Sequence, residues 1–294
     1  MKPFEYEAPT KVHFGVGSVD RIGSIVRATG TCALLILASG PFRENGLRDR
    51  VVGSLEAAGV AVHEMSDIDS NPKIKSAREG KQICQSAGVD TVVAVGGGSA
   101  MDAAKVIGAS AAMDVDPYDL IWGQRVPVDE SLPVVTVPTI AATGTEVNNA
   151  AVMVDETTKE KYWCLTQFPT AAIHDPEIVA TVPSHLTIWG AMDILSHTFE
   201  FYLNGDSQSE TQACVSEAIL RATMTAIEHV VQSPGDLWAT GELMWNAVLA
   251  WGGLTKIGRG DPDMTCHSIE ESFSGYFDTH HGACLGVLTP IWMT

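Results

Sequence analysis

The chain has 294 residues, 45% of them apolar, and a formal charge of −18, the profile of a globular protein long enough for two domains. That acidity repels nucleic acid and anionic membrane surfaces, so neither is an expected partner. No run reaches the roughly 18 apolar residues of a membrane span, and MKPFEYEAPT lacks the basic-then-apolar layout of a signal peptide. Cys32, Cys84, Cys164, Cys214, Cys266 and Cys284 are scattered without a CxxC, so a cytoplasmic protein with reduced thiols is expected.

From Thr31 to about Pro183, short apolar runs (CALLILAS, VAVHEM, TVVAVGGG, LPVVTVPT) alternate with amphipathic stretches such as GLRDRVVGSLEAAG and KIKSAREGKQICQSAG. This is the pattern of strands and helices in a parallel sheet. The two amphipathic stretches end at Gly59 and Gly88, plausible helix stops. The third strand runs into Gly96, Gly97, Gly98 and Ser99 and then a helical AMDAAKVIGASAA. Such a turn brings backbone N–H groups and a helix N-terminus towards an anion, although it lacks the GxGxxG spacing and equally serves as a plain strand-to-helix turn. After the fourth strand, VPTIAATGTEVNN gathers Thr139, Thr143 and Thr145 around Gly144, as a second anion-friendly loop or as helix-capping hydroxyls.

After Pro183 the β-branched runs vanish. SHLTIWGAMDILSHTFEFYL, SETQACVSEAILRATMTAIEHVVQ and LWATGELMWNAVLAWGGL all read as helices. The expected organisation is therefore an α/β domain over residues 1–183 and an all-helical domain over 184–294. In AMDILSHTFE, Asp193 and His197 stand four apart and share a helix face, as two metal ligands or as a surface or capping pair. In CHSIEESFSGYFDTHHGACLG, His267 and, after a Gly-bearing bend, His281 supply two more imidazoles. Three imidazoles and one carboxylate suit Fe(II), Zn(II), Ni(II) or Co(II) rather than Mg(II) or Ca(II).

GGGSAMDAAK resembles the GGGSxxDxxK loop, and PTIAATGTEVNNAAV the TG[ST]E segment, of the iron-containing (group III) alcohol dehydrogenases. The two histidine-bearing segments are similar to that family's metal-binding stretches, and Asn148 after the Glu points to its butanol dehydrogenase and aldehyde reductase branch. The resemblance implies a dehydroquinate synthase-like architecture, in which a parallel-sheet dinucleotide-binding domain precedes a helical domain and the active site lies between them. It implies metal ligation by Asp193, His197, His267 and His281, with iron first and zinc or nickel next. It places Gly97, Gly98, Ser99, Asp102, Thr139, Thr143, Asn148 and Lys161 near a nicotinamide cofactor. Hydride would pass between that cofactor and a small primary alcohol or aldehyde, with His267, Lys161 and Glu271 as catalytic groups.

The chain departs from the family pattern in places, and one register needs choosing. Glu271 stands where the family commonly has a further histidine; it either faces the metal or, like Glu270, lies on a solvated helix face. His281 rather than His280 is the expected ligand, because it precedes Gly282 and Ala283. After the first strand, Ser39, Gly40 and Arg43 offer no acid before Glu44, which favours NADP(H) over NAD(H). Family members usually continue for several more helices beyond GVLTPIWMT, so the chain reads as a fragment or a natural truncation, with an exposed apolar patch and either a homodimer or marginal stability as the expectation. Trp163, Trp189 and Trp251 are candidates for walls of a dry pocket. Two other functions are alternatives: a dehydroquinate synthase-like lyase, which shares the architecture but has different metal motifs, and a nucleotide and metal binder with little turnover.

Overall fold

The computed structural model describes residues 1–40, 45–203, 209–260 and 262–294. The chain divides into two units, one made of Pro9–Thr139 and Asn149–Asp175, the other of Met1–Ala8, Ile140–Asn148 and Pro176–Thr294.

The first unit is α/β. It contains β1 (Lys11–Phe14), α1 (Ile22–Arg27), β2 (Cys32–Ala38), α2 (Leu47–Ala57), β3 (Ala61–Ile68), α3 (Ile74–Ala87), β4 (Thr91–Gly96), α4 (Gly98–Met113), α5 (Pro117–Ile121), β5 (Val134–Pro138), β6 (Ala150–Val154), β7 (Lys161–Leu165) and β8 (Ala171–His174). Six strands form one sheet in the order β1-β8-β5-β4-β2-β3, and every pairing in it is parallel. Strands β4 and β5 are buried along their whole length, which is why their sequences read as continuous apolar runs rather than as alternation. The chain leaves β2 for β3 on one side and returns to β4 on the other, so the order reverses at the carboxyl ends of β2 and β4. Open parallel sheets bind ligands at such a reversal.

Helix propensity and caps explain the flanking helices. Ile74, Ala77, Gly80 and Cys84 form the buried stripe of α3, which stops at Gly88 in the left-handed conformation (φ 67°). Helix α4 is buried from Ala100 to Ser110, and its small residues let it lie against the sheet. Lys105, 1% exposed, is neutralised within that core. Its Nζ lies 3.4 Å from Asp102 and donates to the Ala150 carbonyl. Strands β1 and β8 and the antiparallel β6–β7 hairpin were not expected. They are four or five residues long, too short to carry a clear period.

The second unit is helical: α6 (Pro176–Ala180), α7 (Ser184–Leu203), α8 (Glu210–Gln232), α9 (Leu237–Trp251), α10 (Thr265–Phe277) and α11 (His281–Trp292). Its core joins Val179, Ala191, Ile194, Ile219, Ala226, Leu243, Met244 and Ala247, together with Ala141. The division thus falls at Pro176 rather than at residue 183, because Val179 of α6 packs with α9. The loop at 140–148 also counts with the helices, since a side chain on Gly144 would meet the Ala247 carbonyl at 2.6 Å. The break between α10 and α11 does not fall at a glycine, contrary to the expected Gly-bearing bend. Gly275 is buried inside α10, and the helix ends on Asp278 in the left-handed conformation (φ 56°), which aspartate tolerates better than most residues. Among the described residues, no helix is long and apolar enough to cross a membrane.

Candidate metal centre

Helices α7, α10 and α11 bring four side chains to one point in the helical unit. Asp193 and His197 lie one turn apart on α7, 1% and 5% exposed. Around Asp193 Oδ1 stand His197 Nδ1 at 3.4 Å, His267 Nε2 at 3.4 Å and His281 Nε2 at 3.5 Å. Ligand atoms of Asp193, His197 and His267 all fall within 4.8 Å of one another. His281 opens the first turn of α11, and its side chain, 23% exposed, is the one of the four that reaches solvent. His280 instead packs its ring 4.8 Å from Trp189.

Glycines make this convergence possible. A Cβ on Gly190 would lie 2.2 Å from the Ala141 carbonyl oxygen, and one on Gly282 would lie 2.1 Å from that of Trp189. Trp251 closes one wall, its ring 4.4 Å from that of His197, which in turn stacks on His267 at 4.3 Å. Trp189 packs on His185 and His280, and Trp163, 46% exposed, sits on the hairpin of the other unit.

The electrostatics follow from the crowding. Burial pushes His197 down to about 3, against the pull of Asp193. Burial also works to lower His267, but its hydrogen bonds to Asp193 and Glu200 outweigh this and raise it to about 9. Asp193 is held well below the usual carboxylate range despite its burial, by the imidazoles of His197, His281 and His267 around it. Asp193 Oδ2 is buried and has no hydrogen-bond partner among the described residues. An unpartnered buried carboxylate oxygen beside three imidazoles is the donor set of a borderline divalent transition metal, so the residues present fit such an ion.

Two further residues belong to this cluster. Glu200 is hydrogen-bonded to His267 Nδ1 and Glu270 to His281 Nδ1, and both glutamates are fully buried. Glu270 therefore does not lie on a solvated face, whereas Glu271 is half-buried. Each glutamate follows a histidine of the cluster by three residues, yet each bonds a histidine on the next helix. Helical spacing could flag these carboxylates but could not name their partners.

The residues assigned to a cofactor fall in both units. In the α/β unit, Ser39 and Gly40 follow β2, Gly97 to Ser99 follow β4, and Thr139 follows β5. Ser39 Oγ donates to the Ile68 carbonyl at 2.7 Å. Arg43 and Glu44, on which the cofactor preference leaned, lie outside the described residues. A Cβ on Gly96 would meet that of Ala38 at 2.6 Å, so this glycine permits the close approach of the β2 and β4 ends. Helix α4 starts at Gly98 without a side-chain cap, which leaves its first N–H groups available to an anion. Ser99 Oγ donates to the Ser70 carbonyl, and Lys161 Nζ donates to Asn71 Oδ1 at 3.2 Å. Sequence reasoning missed this 70–71 loop. Asp102 accepts from the Val152 N–H at 3.0 Å, anchoring the hairpin that carries Lys161. Thr139 Oγ1 is buried without a partner among the described residues. In the helical unit, Thr143 Oγ1 accepts from the Thr145 N–H at 3.3 Å and Asn148 donates to the Gly144 carbonyl at 3.0 Å, bonds that shape the loop itself.

Comparisons with known proteins bear on the family and the fold. Residues 9–176 match the family described as iron-containing alcohol dehydrogenase, and residues 187–294 match the C-terminal domain of the Fe-containing alcohol dehydrogenase family. NADH-dependent butanol dehydrogenase A of Clostridium acetobutylicum is 36% identical over all of this chain and 75% of its own length. The probable NADH-dependent butanol dehydrogenase 1 of Bacillus subtilis is 35% identical over all of this chain and 76% of its own. The crystal structure of NADH-dependent butanol dehydrogenase A from Thermotoga maritima superposes with a TM-score of 0.96 at 36% identity, covering all of this chain and 74% of that one. The fold is the dehydroquinate synthase-like one of this family.

Proposed function

The chain belongs to the iron-containing alcohol dehydrogenase family, a metal-dependent oxidoreductase family using a nicotinamide cofactor, and from that premise we propose that it interconverts a small primary aldehyde and its alcohol with NADH. The observation that carries the proposal is the meeting of Asp193, His197, His267 and His281 on one carboxylate oxygen. Those four residues hold the ion, and a bound divalent ion supplies Lewis acidity towards the substrate oxygen. Aldehyde, NADH and a proton give alcohol and NAD⁺.

This chain's own residues orient and exclude. Trp251 shields His197 from water on one side, and the partly exposed His281 marks the side from which substrate approaches. Gly97, Gly98 and the uncapped start of α4 receive the cofactor's pyrophosphate, with Ser99, Asp102, Thr139, Thr143, Asn148, Ser39 and Gly40 shaping its surroundings and Lys161, steered by Asn71, beside it. Glu271, four residues after His267 on α10, is assigned to proton handling at its carboxyl group. The lyase and the turnover-poor binder give way to this reading, because the two family domains together span most of the chain.

The expected preference for NADP(H) finds no support in relatives whose names carry NADH, and NADH is proposed in its place. The protein loaded with Fe(II) should reduce butanal with a higher kcat/KM for NADH than for NADPH; the reverse ranking would restore the NADP(H) reading, and no turnover with either would sink the proposal. A homodimer in the cytoplasm also belongs to the proposal. It is supported by the exposed Phe273, Tyr276, Phe277, Val287 and Ile291 of α10 and α11 and by six unpaired cysteines.

Metal uptake should depend on pH in a definite sense. His267, raised to about 9, carries its proton in the metal-free fold at neutral pH, whereas His197, at about 3, is already neutral. The His267 proton stabilises the metal-free fold fully below the ordinary histidine value, and that contribution is lost as pH rises through about 9. An incoming ion must displace the proton, so apparent Zn(II) affinity should rise by up to about tenfold per pH unit between neutrality and the His267 value. Chelator competition across that range checks this; a flat profile would contradict it.

A further inference from the structure

Two carboxylates behind the cluster have no part in the reaction as written. Burying a carboxylate is costly unless charge and hydrogen bonds compensate, and an apolar residue of similar size would fill either place at less cost. Yet Glu200 and Glu270 are both fully buried. Glu200 bridges two helices: from α7 its Oε2 accepts from His267 Nδ1, while its Oε1 accepts the N–H of Cys266 at 2.8 Å and of His267 at 3.4 Å in the first turn of α10. Glu270 bridges the next pair, its Oε2 accepting from His281 Nδ1 at the start of α11.

We propose that Glu200 and Glu270 are positioning residues for the metal, each fixing one imidazole with its Nδ1–H outward and its Nε2 lone pair turned towards Asp193. An ionised carboxylate can only accept, so it dictates which ring nitrogen carries the proton. Its charge also makes the other nitrogen a stronger donor. Together with Asp193, these residues surround a divalent ion with three carboxylates, which favours retention of a dication over a monovalent ion. The inference rests on the reading that Asp193, His197, His267 and His281 bind the ion.

The test is a chelator-competition titration with Zn(II) and Co(II) on wild-type protein, Glu270→Ala, Glu270→Gln, Glu200→Ala and Glu200→Gln, with the visible spectrum of the Co(II) forms as a second readout. The alanine variants should lose about 10- to 100-fold in affinity and shift the Co(II) bands. Glutamine keeps an acceptor oxygen and should recover part of both. Glu200→Ala also uncaps α10, so if circular dichroism shows it unfolded, Glu200→Gln and the Glu270 pair decide. Folded Glu270→Ala and Glu200→Gln with wild-type affinity and spectra would overturn the inference while leaving the four-ligand site intact. Wild-type protein that binds neither ion would overturn both.

Discussion

His267→Ala is expected to abolish stoichiometric metal binding and to lower kcat/KM for aldehyde reduction by about a thousandfold or more. The magnitude follows from the several kcal/mol that a Lewis-acid metal contributes to charge stabilisation in the transition state, at a factor of ten for each 1.36 kcal/mol. His267 is the place to cut because it occupies the centre of the cluster: it stacks on His197, approaches Asp193 at 3.4 Å and anchors Glu200. Its loss leaves Glu200 still bonded to the Cys266 N–H, so the helices should remain associated and the protein should fold. Asp193→Asn, which removes one charge at constant shape, should give the same loss of metal. Elemental analysis and steady-state rates on the same preparations check this; full metal content with near-normal rates in either variant would move the ion elsewhere.

Gly282→Ala should injure stability and the site together. The new methyl carbon would lie 2.1 Å from the Trp189 carbonyl oxygen and 2.7 Å from its carbon. Both are backbone atoms that no rotamer change can move aside. Overpacking of this kind costs about 1–3 kcal/mol, and α11 can relieve it only by moving away from α7. His281 is the preceding residue, so that shift carries its Nε2 away from Asp193, and metal affinity should fall with the melting temperature. Gly53→Ala is the control, since a Cβ there meets nothing within 4 Å, and alanine in a helix is favoured over glycine by about 0.5–1 kcal/mol. Melting curves with and without Zn(II) separate the outcomes. A Gly282→Ala protein as stable and as metal-competent as wild type would show that α7 and α11 do not pack as described.

Much of this was legible in the sequence because it was local. The parallel strands announced themselves as apolar runs bounded by glycine, and α7 showed Asp193 and His197 four residues apart. What was not legible depended on chain segments meeting. Glu270 read as an ordinary helix-face acid and Glu200 stands in no motif, and only the approach of α10 to α7 and of α11 to α10 turns them into partners of His267 and His281. The loop at Ser70 and Asn71 carries no motif; it matters because Ser99 and Lys161 reach it. The Gly144 loop was read as part of the sheet domain by its place in the chain, while its contact with Ala247 assigns it to the helices. The cofactor preference drawn from Ser39, Gly40 and Arg43 rested on a missing carboxylate in one loop, and relatives whose names carry NADH give it no support.

Anomalous diffraction from crystals of the Co(II)- or Zn(II)-loaded protein addresses the central claim most directly. A single strong peak about 2.0–2.2 Å from a carboxylate oxygen of Asp193 and from one nitrogen each of His197, His267 and His281 is the predicted result. A fully loaded protein whose peak lies away from these four residues would contradict it.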